Sequence, residues 1–190
     1  MRSIRLDWPQ NTRVDEFMHF KWYLFEQMQA PTAISMLAIR HRIFGEAGLY
    51  AAQEVEEIDK TSSHLCVFDN DDVIACLRLC QLKNRTRHDT YEIGRVCVDS
   101  SYRGQNIGKR MLGMAVIRGM GNGLEAQFET RAPVYLMEFY KSAGFEPLGD
   151  PYREDDIPHL RLKLSQPDLL EAQITKAKRR PIGRPQKTLS

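Results

Sequence analysis

The sequence holds no long apolar run. Its longest unbroken one is Val73–Leu77, far short of the roughly 20 residues a membrane-spanning helix needs. From Met1 to Pro9 there is no apolar core of a secretory signal, which leads us to expect a cytoplasmic protein. No charge sign dominates either. With 27 Lys and Arg against 25 Asp and Glu, the formal net charge is +2, too small to argue for nucleic acid or membrane as a partner of the whole chain. Cysteine is scarce. Cys66, Cys76, Cys80 and Cys97 form no CxxC pair and have no zinc-type spacing with histidine, so reduced, buried thiols and no metal are expected. Two nucleotide-binding patterns, GxxxxGK[ST] and GxGxxG, are missing as well. There is no repeat and no interdomain linker.

What is present is the composition of one soluble globular domain. Its 190 residues are 42% apolar and 27% charged, long enough to bury a core. We expect a domain over residues 1–165, with a loose arm at 1–16, then a helix and a basic tail over 166–190.

The pattern alternates helix and strand. Phe17 to Gln27 reads as an aromatic-rich strand. A helix opens at Pro31, with Ile34, Leu37, Ala38 and His41 on one face and Met36, Ile39 and Ile43 beside it. Gly45 and Gly48 are expected to end it. Asp59 to Ser63 reads as loop. Strands His64–Phe68 and Val73–Leu79 flank the turn residues Asp69–Asp72, a hairpin signal. After a polar connection from Lys83 to Thr90, a strand spans Tyr91–Val98 and a helix runs from about Gln105 to Met120, burying Ile107, Met111, Met114 and Ala115. Asn122-Gly123 breaks it. Leu124–Thr130 reads as strand, Val134–Ala143 as a short helix capped by Gly144, and Phe145–Leu148 with Pro158–Leu164 as a closing strand pair. A last helix is expected over Leu169–Lys178.

The most informative stretch is YEIGRVCVDSSYRGQNIGKRMLGMAV, residues 91–116. A strand runs into a glycine-containing turn that opens a helix. Such a turn aims unpaired backbone N–H groups and the positive helix end at one point, which suits a pyrophosphate. Gly104 and Gly108 clear side chains where backbone meets ligand, and Arg103, Lys109 and Arg110 supply cations. On this evidence alone, a tight βα turn with solvated basic residues stays open.

These residues resemble the GNAT superfamily of acyl-CoA N-acyltransferases, whose signature is [Q/R]-x-x-G-x-[G/A] after an apolar strand. Arg103, Asn106 and Gly108 take the three signature positions. Asn106 stands where glycine is usual, and Asn is the side chain that best tolerates left-handed backbone. LAIRHRIF ending at Phe44, EVEEID from Glu54 with His64-Leu65, and DPYREDDIPHLRL from Asp150 are similar to the ElaA-like branch. The likeness covers residues 17–164. It implies a mixed α/β fold, with a mostly antiparallel twisted sheet flanked by helices. It also implies acetyl-CoA as co-substrate, with Val96, Cys97 and Val98 pairing with the pantetheine arm and Arg103, Gly104, Gln105, Asn106, Ile107, Gly108 and Lys109 holding the pyrophosphate.

Acyl transfer from a thioester to an amine poses two proton problems. An alkylammonium, with a pKa of about 10.4, must lose a proton before attack, and the leaving thiolate benefits from an acid. By similarity to histone-type enzymes, Glu92 is the candidate base. Strict strand alternation would put it on one face with Gly94 and Val96, about 13 Å from Val96, so it would act through a long substrate or a water. Pairing with a nearby arginine is its alternative role. Tyr140, in FYKSAGF (139–145), resembles the tyrosine of the family's second coenzyme A motif and is the candidate acid; a core tyrosine packed on Phe139 or Phe145 is the alternative. That motif often carries Asn seven residues earlier, where this chain has Pro133. Glu54, Glu56, Glu57 and Asp59 would attract a cationic amine if they pointed inward, though a solvated loop is the simpler reading. His64 and His159 are expected to be structural.

The tail from Lys176 to Lys187 is dense in Lys, Arg and Pro, and disorder is expected. Gly183-Arg184-Pro185 is loosely like an AT-hook, but Ile182 replaces one of its two groove-filling arginines. Nucleic acid is not an expected partner. The leading expectation is an N-acetyltransferase acting on a small-molecule or protein amine, without metal, with a homodimer left open. A longer acyl-thioester donor and a coenzyme-A-sensing or DNA-associated module without turnover are the alternatives.

Overall fold

The computed structural model describes residues 11–13, 18–48, 55–82, 89–121, 126–154, 156–166 and 170. In chain order the elements are β1 (Asn11–Arg13), β2 (Met18–Leu24), α1 (Ala30–Glu46), α2 (Glu57–Thr61), β3 (Ser63–Asp69), β4 (Asp72–Leu82), β5 (Thr90–Val98), α3 (Ile107–Met120), β6 (Gln127–Pro133), α4 (Met137–Lys141), β7 (Phe145–Pro147), β8 (Tyr152–Glu154) and β9 (Ile157–Leu164). The strands form one sheet in the order β1-β2-β3-β4-β5-β6-β9-β7, with β8 also on β9. Every described pairing is antiparallel except β5 with β6. This is the mixed, mostly antiparallel sheet expected from the sequence.

Both faces of the sheet are covered, which is why β3 and β4 are apolar almost throughout. Against one face lies a core of Leu65, Leu77, Ile93, Met111, Leu112 and Phe128, with α3 supplying Met111 and Leu112. Against the other, Met36, Ile39 and Ile43 of α1 meet Cys66, Cys76 and Cys97. All four cysteines are buried and unpaired by disulfides. The hairpin between β3 and β4 turns at Asn70, whose φ is 53°, a conformation Asn tolerates.

The structure corrects several expectations. The inward face of α1 is Met36, Ile39, Arg40 and Ile43, and Ile34 is exposed. Gly45 lies inside that helix, and the chain leaves it through Gly48 at φ 71°. The loop expected at Asp59–Ser63 is largely α2, stabilised by a capping box between Glu56 and Asp59. The first strand stops at Leu24, and Phe25–Gln27 is a 3₁₀ turn. Residues 11–13, within the expected loose arm, pair with β2. β6 runs on to Pro133, and β8 was not expected. The helix over Leu169–Lys178 and the AT-hook-like segment lie outside the described residues, except that Leu170 is buried in the larger core.

Candidate active site

The site lies where the sheet parts. β5 and β6 pair in parallel only from Thr90–Glu92 to Gln127–Glu129. Beyond that, Gly94–Val96 and Arg131–Pro133 face a cavity. The parting coincides with a bulge on β5. Cys97 pairs with Cys76 and Gly94 with Arg78, a one-residue register slip, and Arg95 sits at φ 53°. A bulge reverses the inside–outside pattern downstream of it. Ile93 accordingly belongs to the core under α3 and Cys97 to the core under α1, although they are an even number of positions apart. Strict alternation from Glu92 to Val96 therefore does not hold. Val96 and Val98 pack toward the α3 side, whereas Glu92 comes near the Arg78 side chain over Gly94.

Past β5 the chain turns through two left-handed residues, Gly104 at φ 78° and Asn106 at φ 61°. Arg103 Nε donates to the Val98 carbonyl at 3.2 Å and ties the turn to the strand end. Asn106 is the N-cap of α3, and Arg110 N–H donates to its carbonyl at 3.0 Å. The N–H groups of Ile107, Gly108 and Lys109 thus precede the first helical bond, leaving the positive end of a 14-residue helix at the cavity wall. Gly108 allows close packing: a Cβ there would lie 3.0 Å from Phe139 Cζ, so the ring would have to shift.

The resulting cleft has a volume of about 770 Å³, ample for a large cofactor-like ligand. Val96, Cys97, Val98, Arg103, Gly104, Asn106, Ile107, Gly108 and Lys109 line it, as does Tyr140. Gln105 does not. Its Oε1 is buried without a partner among the described residues. Not foreseen were the end of α1, which closes one side through Ile43, Phe44 and Ala47, and Tyr135, Leu136 and Phe139, which close another.

A second cavity of about 170 Å³ adjoins the first, with Phe44, Val96, Leu136 and Tyr140 in both walls. Tyr140 is buried and packs edge-on against Phe139 and Phe145. Burial pushes its hydroxyl up to about 12. Glu92 lines the second cavity and accepts a hydrogen bond from Arg131 at 2.8 Å. That contact also raises the Arg131 guanidinium above its ordinary value.

Behind this cavity lies a charge network. Asp59, fully buried, accepts from Arg40 and Arg78 at 3.1 Å each, and Glu56 pairs with Arg78 and Arg95. Burial by itself raises the Asp59 carboxyl, but the Arg40 hydrogen bond, the Glu56 N–H and the two guanidinium charges outweigh it and hold it low. Glu56 is likewise held low by Arg78 and Arg95 against burial. The acidic segment is thus neither a solvated loop nor a cation attractor. Its inward carboxylates are matched by arginines, Glu57 faces solvent against Lys60, and Glu54 lies outside the described residues. His64 donates from Nε2 to the Asp59 carbonyl at 2.9 Å, the structural role expected, and burial lowers its pKa. His159 also lines the second cavity. Among the described residues, no group of three or more His, Cys, Asp or Glu is placed to hold a metal ion.

A family model described as "Acetyltransferase (GNAT) domain" matches residues 33–166. The UPF0039 protein sll0451 of Synechocystis is 26% identical over 147 residues, 76% of this chain and 94% of that protein. Protein ElaA of Escherichia coli is 27% identical over 128 residues, 66% of this chain and 82% of its own. The crystal structure of ElaA superposes with a TM-score of 0.69 at 22% identity, over 77% of this chain and 98% of that one. An acyl-CoA N-acyltransferase from Pseudomonas aeruginosa gives the same TM-score at 24% identity, over 78% and 99%. Both structures share the fold. With a family model that spans most of the sheet and the whole strand–turn–helix around Asn106, the chain belongs to the GNAT acetyltransferase family of acyl-CoA-dependent N-acyltransferases.

Proposed function

We propose that the protein transfers an acetyl group from acetyl-CoA to a primary amine, of a small molecule or a protein, by direct attack. The larger cavity takes the coenzyme. Its pyrophosphate meets the N–H groups of residues 107–109, and its pantetheine runs beside Val96–Val98 as an added strand would. The smaller cavity takes the amine. The observation that carries this reading is that Tyr140 stands in the wall common to both cavities, where a thioester between the two would put its sulfur. With its hydroxyl raised to about 12, Tyr140 is protonated at any physiological pH and acts as a donor to the departing thiolate. Glu92, fixed by Arg131, is the candidate base, relaying the amine proton through water.

The test is a Tyr140→Phe variant, assayed by thiol release with acetyl-CoA over a panel of primary amines. Turnover is expected to fall on the order of tenfold to a thousandfold while coenzyme binding persists. Unchanged turnover would remove Tyr140 from the mechanism. Running acetyl-CoA against longer acyl-CoAs in the same assay fixes the donor, and preference for a longer chain would overturn the acetyl assignment.

A further inference from the structure

His159 occupies a position that neither its surroundings in sequence nor the roles assigned above account for. It opens the register of β9 against β6, opposite Pro133, and so stands on the far bank of the gap between β5 and β6. It is 7% exposed and lines the smaller cavity with Tyr140, Val96 and Glu92. Its Nδ1 lies 2.9 Å from the Ile157 carbonyl. A carbonyl only accepts, so Nδ1 carries the hydrogen, and in the neutral ring Nε2 is the basic nitrogen. Among the described residues Nε2 has no hydrogen-bond partner; the ring's other contact is a tilted one with Tyr152, centroids 6.0 Å apart. The remaining basic groups of this cavity are engaged. Glu92 holds Arg131, Glu56 holds Arg78 and Arg95, and Glu154 accepts from the Tyr152 hydroxyl at 3.0 Å. A carboxylate that gives up a guanidinium to take a proton loses an ion pair; an imidazole nitrogen without a partner among the described residues gives up none.

We propose that His159 is a catalytic base of the transfer, taking the proton from the acceptor ammonium at Nε2. This rests on the acetyl-transfer reading above, and puts His159 in place of the Arg131-paired Glu92 as the group that meets the ammonium. In full, Nε2 removes one proton from the ammonium and later passes it to solvent. The free amine attacks the thioester carbonyl carbon, the C–N bond forms and the C–S bond breaks. The second nitrogen-bound proton ends on the coenzyme sulfur by way of the Tyr140 hydroxyl, which gives one proton and regains one. The sum is ammonium plus acetyl-CoA to amide, free coenzyme and one proton.

The test uses the full chain with acetyl-CoA and the amine of the panel that the wild type turns over fastest. His159→Asn places an amide N–H where ring Nδ1 was, so the bond to Ile157 can persist while the base is lost. Its kcat is expected to fall on the order of a hundredfold. The melting temperature and coenzyme affinity should stay near wild type, and added imidazole should restore part of the rate, a recovery that a merely structural histidine would not give. The proposal is overturned if the variant keeps kcat within twofold, if its loss is matched by an equal loss of coenzyme binding, or if imidazole restores nothing. A wild type that binds coenzyme A yet acetylates no amine would overturn the proposed function itself, and this inference with it.

Discussion

Asp59 illustrates what a single buried charge decides in this protein. It has no exposure, receives Arg40 and Arg78 at 3.1 Å each, and accepts the Glu56 N–H at 2.8 Å through the capping box. Replacing it with Asn leaves two guanidiniums without the charge between them, and removing one partner of a buried pair costs about 3–5 kcal/mol. Urea denaturation of Asp59→Asn at neutral pH is expected to show that loss; a change below about 1 kcal/mol would mean the network contributes little net stability. The same residue sets an acid limit. Its carboxyl is held below the ordinary range, so its contribution is complete above the unfolded value of about 3.9 and disappears as pH falls through the lower folded value. His64 acts in the same direction at higher pH. Burial lowers its pKa, so stability starts to decline as pH falls below the unfolded value of about 6.5. Wild type should therefore weaken in two stages on acidification, and Asp59→Asn should show a smaller lower one, with Glu56 and Asp99, also held low, supplying the rest. None of this was legible in the sequence. Arg40 shares the i, i+3, i+4, i+7 spacing of Met36, Ile39 and Ile43, and Arg78 interrupts an apolar strand, but neither can be read as buried without Asp59, which is distant from both along the chain.

At the scale of elements, the strand–turn–helix of β5 and α3 was the most legible part, because its signal is local. An apolar strand, a left-handed turn and an amphipathic helix each depend on near neighbours. The bulge at Arg95 was not legible, since it exists only in the register of β5 against β4. For the same reason Glu92 shares a face with Gly94, as expected, but not with Val96. The place of His159 in the cavity wall was not legible either, because it depends on β9 pairing with β6, which no short window of sequence contains. The turn itself offers a direct test. Asn106 holds φ 61° and ψ 14° at the N-cap of α3, a conformation that glycine takes freely and a β-branched residue avoids. Asn106→Gly should bind coenzyme A within about twofold of wild type. Asn106→Val, at a cost of about 1–3 kcal/mol for the forced backbone, should lose at least tenfold in affinity. Calorimetric titration separates the two. Equal affinities for all three proteins would show that the N–H groups following Asn106 do not seat the pyrophosphate.

For the molecule as a whole, the larger cleft is where otherwise separate parts meet. The end of α1, from one face of the sheet, reaches Ile43, Phe44 and Ala47 into it, while α3 and α4, from the other, bring Ile107, Gly108 and Phe139, and the end of β5 runs between them. The two cores do not merge, being divided by the sheet, so a ligand lying in this cleft bridges layers packed on opposite faces of β4 and β5. Such a ligand binds the folded chain alone and stabilises it by mass action, about 2.7 kcal/mol at a hundred times its Kd. In a chain of this size that raises the melting temperature by roughly 5–10 °C. Coenzyme A should therefore shift the transition by that amount without any amine present, because the proposed function seats it in the larger cleft. Hydrogen exchange should locate the effect. Amides of residues 96–98 and 107–109 are expected to slow most, α1 near Phe44 next, and the β2–β3 pair, remote from the cleft, least. A shift of the same size with protection spread evenly over β2 and β3 would place the coenzyme elsewhere on the molecule, and would separate the helix end at Asn106 from the binding of the acyl carrier.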